Sequence, residues 1–151
     1  MPTVANGLDE LRQLAATDLG ASDWLPITQD RVNTFADATD DRQWIHVDVE
    51  RARSGPFGGT VAHGYLTLAL AIPLWTQILQ IGGIGMAVNY GLNRVRFPAP
   101  VHVGSQVRLH ARVAAVEEIR DGVQLTVDLT VEIRDGDKPA AVAQALYRYY
   151  A

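Results

Sequence analysis

The most regular pattern of apolar and polar positions lies in the last third of the chain. Val107, Leu109, Ala111 and Val113 alternate with Arg108, His110 and Arg112, and Leu125, Val127, Leu129, Val131 and Ile133 alternate with polar partners. A period of two places each set on one face of a strand, so both segments predict strands with one buried face. Asp121-Gly122 and Asp135-Gly136 stand at the joints, where hairpins need residues that tolerate a left-handed backbone, and residues 140–150 predict a third long strand. Helical spacing governs the first half. Leu8, Leu11, Leu14 and Ala15 predict a short opening helix, and residues 23–27 a brief strand that Pro26 confines to an edge. Thr28 is placed to cap a helix with Asp30 in its first turn and a Val32, Phe35, Ala36 stripe, ending near Thr39.

Residues 40–60 hold neither period, and Gly55-Pro56-Phe57-Gly58-Gly59 marks a loop. Residues 63–80 then predict a long helix, buried all round because it has no charged face, with Pro73 kinking or splitting it into two pieces. Gly82, Gly83 and Gly85 end it, and residues 86–97 read as extended. Long antiparallel strands and one apolar helix predict an α+β fold in which the sheet wraps the helix. No repeat or low-complexity tract interrupts the chain, so residues 1–151 are expected to form a single domain.

Charge sharpens this picture. Of the 30 charged residues among 151, 15 precede residue 54 and 15 follow residue 93, so forty consecutive residues carry none. Such a stretch belongs inside protein or lipid. Its longest apolar run, residues 68–75, contains Pro73 and falls far short of the ~20 residues that span a bilayer, which favours protein. Asp9, Glu10 and Arg12 stand where a secretory signal needs an apolar core, so a cytoplasmic location is expected. The absence of cysteine excludes disulfides, thiolate metal sites and a Cys nucleophile. A net charge of −4 argues against a nucleic-acid partner. The four histidines show neither i, i+4 helical spacing nor His-x-His, so no metal site is expected.

Candidate chemistry concentrates in Thr39-Asp40-Asp41-Arg42-Gln43-Trp44-Ile45-His46. A carboxylate and an imidazole five residues apart in irregular backbone can converge on one water, take its proton and return a proton to a substrate. A solvated turn or a helix cap carries the same residue types, so the pair needs context. That context is Val61-Ala62-His63-Gly64, which puts Gly64 at the mouth of the apolar helix, where free backbone N–H groups and the helix dipole can stabilise an oxyanion. His110 shares its strand face with Arg108 and Arg112 and reads as solvated, and His102 lies in a Pro-flanked turn region. Arg94 and Arg96, the first charges after the neutral stretch, are placed either to meet the phosphates of a ligand or simply to solvate a strand face.

The run from Phe35 to His46, the later Val61-Ala62-His63-Gly64, and Phe97-Pro98-Ala99-Pro100-Val101 with Gly104 resemble the MaoC-like family of (R)-specific enoyl-CoA hydratases and dehydratases. The likeness runs from about Asp23 to the C-terminus. It implies a hot-dog fold, a catalytic pair at Asp41 and His46, and an oxyanion-hole amide at Gly64. Three positions depart from the family loop, which reads roughly Gly-Asp-x-Asn-Pro-x-His: Asp40 replaces its Gly, Gln43 its Asn and Trp44 its Pro. Gln43 must reach from one methylene further, and Trp44 either lines an acyl pocket or only fixes the loop.

The implied reaction is reversible hydration of a trans-2-enoyl-CoA to the (3R)-3-hydroxyacyl-CoA, a step of fatty acid metabolism. The coenzyme A thioester is the substrate, with no cofactor and no metal. Expected substrate-binding walls are Val61, Ala62, His63, Gly64, Ala87, Val88, Asn89 and Tyr90, with Pro98 near the entrance. Rival readings are a 3-hydroxyacyl-ACP dehydratase, which would want a basic surface, and a hot-dog subunit that binds acyl-CoA without turnover. A thioesterase on this fold needs a carboxylate at the apolar helix, and residues 54–93 contain none. The family likeness also implies a homodimer, pairing edge to edge and covering the exposed edge strand.

Overall fold

The structure is a computed structural model describing residues 1–151. It begins with β1 (Thr3–Asn6), α1 (Gly7–Arg12), β2 (Thr17–Ala21), β3 (Leu25–Pro26) and α2 (Gln29–Thr39). Two short helices follow, α3 (Trp44–Val47) and α4 (Val49–Arg53), then α5 (Gly64–Ala69) and α6 (Ala71–Ile78). The rest is strand: β4 (Leu79–Gly82), β5 (Met86–Arg96), β6 (Gln106–Ile119), β7 (Gly122–Ile133) and β8 (Ala141–Tyr150). The main sheet is antiparallel and runs β2-β6-β7-β8-β5, with β3 also on β6, while β1 pairs with β4 in a separate parallel ribbon.

The alternation in the C-terminal third is realised as expected. Val107, Leu109, Ala111 and Val113 are fully buried, as are Val123, Leu125 and Val127 on the facing strand. They form one apolar cluster with Leu66, Leu70, Leu74, Trp75 and Ile78 of the helical segment. Each fully buried aliphatic side chain there contributes about 1.5–3 kcal/mol, so the inner face of the sheet holds the helix.

Four expectations need correcting. The opening helix ends at Arg12, because Ala16 adopts φ 59° and the chain turns into β2. The segment 40–60 contains the short α3 and α4, too brief for a helical period to emerge. The long helix comes as two pieces, as Pro73 predicts, but the break falls at Leu70, three residues before the proline. Proline lacks an N–H and its ring crowds the carbonyl four residues earlier, here Ala69, so the disruption appears one turn upstream. Nor is that helix buried all round: Tyr65, Ala69, Pro73, Thr76 and Gln77 form an exposed, uncharged stripe. No helix is long and apolar enough to cross a membrane.

Candidate active site

Thr28 caps α2 as its sequence predicts, its hydroxyl accepting from the Arg31 N–H at 3.2 Å. The helix ends on Asp40, whose backbone is left-handed at φ 60° and ψ 16°. Glycine suits that conformation without a Cβ penalty and aspartate is among the few other residues that tolerate it, which accounts for the family's glycine at this position. The reversal separates the two adjacent carboxylates. Asp40 pairs with Arg42 at 2.8 Å, and Arg42 also reaches Asp37 at 3.2 Å. These bonds, Asp37 first, raise the Arg42 guanidinium above its ordinary value. Asp41 makes no such pair. Its carboxylate, one nitrogen of His46 and one of His63 all lie within 4.8 Å of one another.

His46 is held from three sides. Its Nδ1 lies 2.6 Å from the Val61 carbonyl oxygen, which can only accept, so Nδ1 carries the hydrogen and neutral His46 presents a bare Nε2. Gln29 Nε2 donates to the His46 carbonyl at 2.7 Å, and Gln29 Oε1 accepts from the Thr60 hydroxyl at 2.7 Å. The backbone repeats the tie, Val61 N–H donating to the Ile45 carbonyl at 3.0 Å. Nothing local in the sequence marks Gln29 or Thr60 as such braces. Their partners lie 17 and 31 residues away, and no local period marks such contacts.

A cavity of about 320 Å3 opens onto His46, lined also by Val61, Ala62, Gly64, Phe97 and Val101 among others, while Asp41 is exposed and stands outside that lining. Gly64 is the first residue of α5, so its N–H belongs to the turn that lacks intrahelical acceptors. A Cβ there would sit 3.2 Å from the Phe97 ring, so glycine keeps the wall thin beside that amide. The cavity therefore offers a bare imidazole nitrogen, a nearby carboxylate and a helix-terminal amide within apolar walls.

The expected substrate wall divides. Val61, Ala62 and Gly64 line the His46 cavity, whereas His63 is 2% exposed and does not. Ala87, Val88 and Asn89 line a separate apolar cavity of about 500 Å3 with Ile72, Trp75 and Tyr147. The reason is direction: Phe97, just beyond the end of β5, meets Gly64, which leaves the start of the strand beside α6. Tyr90 lies outside that cavity with Arg148 3.3 Å over its ring, and Pro98 is exposed and lines neither cavity. Trp44 does not line the site. It stacks under Arg51 at 4.3 Å and packs so tightly on Gly55 that a Cβ there would approach to 2.9 Å. Trp44 is also the first residue of α3, a position to which proline's fixed φ is well suited. Gln43 precedes it and its side chain caps nothing. Arg94 and Arg96 are exposed without an acidic partner, His110 pairs with Asp18 at 3.0 Å, and His102 donates to the Phe57 carbonyl at 3.0 Å.

Asp41, His46 and His63 are the residues that could hold a metal ion, a grouping that spacing along the chain did not reveal. The two imidazoles are stacked, centroids 3.8 Å apart and planes 23° from parallel. Ring lone pairs lie in the ring plane, so near-parallel rings aim past one another, whereas a tetrahedral ion requires them to converge. The site is better suited to hydrogen bonding than to ligation. His63 Nδ1 is buried with no partner, which costs about 1–3 kcal/mol.

Comparison with known proteins identifies the family. The MaoC-like domain family matches residues 11–133. The 3-hydroxyacyl-thioester dehydratase Z of Mycobacterium tuberculosis is 54% identical over 143 residues, covering 94% of this chain and 95% of that protein. Nodulation protein N of Rhizobium meliloti is 41% identical over 139 residues, covering 90% and 86%. Among solved structures, the unliganded R-hydratase of Pseudomonas aeruginosa has a TM-score of 0.73 at 21% identity, covering 90% of this chain and 81% of that one, a likeness of fold. With a helix held in a curled antiparallel sheet and its loop carboxylate and imidazole brought together, the chain belongs to the MaoC-like dehydratase family and has its hot-dog fold.

Proposed function

We propose that the protein catalyses the reversible hydration of a trans-2-enoyl-CoA to the (3R)-3-hydroxyacyl-CoA. The observation that carries this reading is the approach of Asp41 to His46, the imidazole that shares a cavity with Gly64. The bare Nε2 of His46 and the Asp41 carboxylate are two acceptors for the two hydrogens of one water. Held so, the water turns a lone pair toward C3. The thioester oxygen accepts the Gly64 N–H, which draws electron density from the conjugated double bond. The C3–O bond forms as the C2–C3 π bond breaks, the water proton passes to the dyad, and the dyad returns a proton to C2 on the same face. In dehydration the same groups act in reverse order. His46 gains most from its tether, because the Val61 carbonyl that fixes the neutral tautomer also stabilises the imidazolium formed in passing.

The proposed working form is a homodimer. The neutral stripe on α5 and α6 and the free edge of β5, with exposed Tyr90 and Leu92, form an apolar face that a second copy would cover by edge-to-edge pairing.

The test is incubation with crotonyl-CoA, following loss of the enoyl thioester absorbance and resolving the product by chiral chromatography. The expected result is turnover to the (3R) alcohol. An (S) product would contradict the proposed facial geometry. A rise in melting temperature with crotonyl-CoA but no absorbance change over hours would mark a binding subunit instead.

A further inference from the structure

We infer that His63 is the positioning residue that sets Asp41 and His46 in register. This inference rests on the hydratase reading above. His63 touches both members of the pair by different means. Its Nε2 lies 2.8 Å from the backbone carbonyl oxygen of Asp41, which can only accept, so Nε2 carries the hydrogen and donates. Its ring stacks on the His46 imidazole at 3.8 Å, and Phe35 of α2 backs it at 4.8 Å. His63 is itself anchored at the start of α5, its carbonyl accepting the Thr67 N–H at 3.1 Å, and it immediately precedes Gly64. One side chain therefore ties the backbone of Asp41, the His46 imidazole and the helix that supplies the oxyanion donor.

The ring does not line the cavity, so it orients the reacting groups without touching substrate. Its bare Nδ1 argues for this role. A phenylalanine would fill the same space with no unpaired nitrogen, and what the imidazole adds is the Nε2–H donor to Asp41. A buried, unpartnered nitrogen is retained where its opposite edge is needed.

The experiment is a double-mutant cycle on crotonyl-CoA turnover. His63→Phe keeps a stacking ring and removes the donor, and His63→Gln keeps an N–H donor and removes the ring. Each is made in the natural chain and in Asp41→Asn, with melting temperature measured alongside. If His63 acts through the pair, each single change lowers kcat by about 10- to 100-fold, the scale of a misplacement near 1 Å. KM should stay within about threefold, since binding contacts are untouched. In the Asp41→Asn background the further loss should be under about threefold, because a pair already disabled has no alignment to lose. Equal fold-losses in both backgrounds would assign His63 a purely structural part and overturn the inference while leaving the hydratase reading intact. Near-native kcat in His63→Phe would overturn it too. Should His63→Phe not fold, His63→Gln carries the cycle alone under the same criteria. An inactive natural chain would remove both the inference and the reading beneath it.

Discussion

At the scale of single residues, the neighbours Asp40 and Asp41 differ because the backbone inverts at the first. Asp40 terminates α2 in a left-handed conformation and spends its carboxylate on Arg42, an exposed pair worth at most about 1 kcal/mol. Asp41 meets the imidazoles. Asp40→Asn, which keeps the tolerance for positive φ, should therefore leave kcat on crotonyl-CoA within about twofold, as for an ordinary surface substitution. A loss matching that of Asp41→Asn would show that the two carboxylates had been assigned the wrong way round. The choice of Asp41, His46 and Gly64 rests on the resemblance to the MaoC-like loop, since a carboxylate and an imidazole five residues apart also fit a solvated turn. The structure brings Asp41 close to His46 and sets Gly64 on the His46 cavity. The braces were not legible in the sequence. Gln29, Thr60 and His63 act through contacts 17 to 31 residues distant along the chain, which no motif or period encodes.

Among the elements, legibility followed regularity. β6 and β7 could be read because alternation sustained over Val107–Val113 and Leu125–Ile133 has one interpretation, and α2 because its cap and stripe agree. β2 escaped notice because its pairing with β6 slips between Asp18 and Gly20, a bulge that disrupts the period. β1 is four residues long with only Ala5 buried, and it forms only against β4, which lies more than seventy residues later. The hairpin joints also differ from expectation in one respect. Asp121 and Asp135, not the glycines that follow them, take the positive φ of 63° and 61°. Gly122 serves another purpose: a Cβ there would fall against the Tyr149 carbonyl oxygen of the neighbouring strand. Gly122→Ala should therefore destabilise the fold by about 1–3 kcal/mol, the usual range for overpacking. Chemical denaturation would read this directly, and an unchanged midpoint would show that β8 can move aside.

For the molecule as a whole, the forty uncharged residues are only partly interior. The helical segment buries one side in the sheet and leaves Tyr65, Ala69, Pro73, Thr76 and Gln77 exposed beside an open β5 edge. Neutrality without burial in one chain is what the proposed dimer explains. Light scattering should give twice the chain mass, and Leu92→Glu, which sets a charge on that face, should shift it toward the single-chain mass. A natural chain that scatters as a monomer would remove the dimer. A second whole-molecule property comes from the buried phenols. Burial raises Tyr147, and burial raises Tyr149 to about 12 against the opposing bond from Trp75. Above pH 10 the unfolded chain releases these protons while the folded one retains them, so stability should fall between pH 10 and about 12. Tyr147→Phe should lessen that fall, and an identical alkaline slope in variant and natural chain would count against it.

The central claim is that Asp41 and His46 together work on one water. Its most direct test is kcat for crotonyl-CoA hydration by Asp41→Asn and by His46→Gln, each verified as folded by its melting temperature. The expected result is a fall of about 10²- to 10⁴-fold in both, the usual contribution of a positioned acid–base group. Near-native kcat in both folded variants would contradict the assignment.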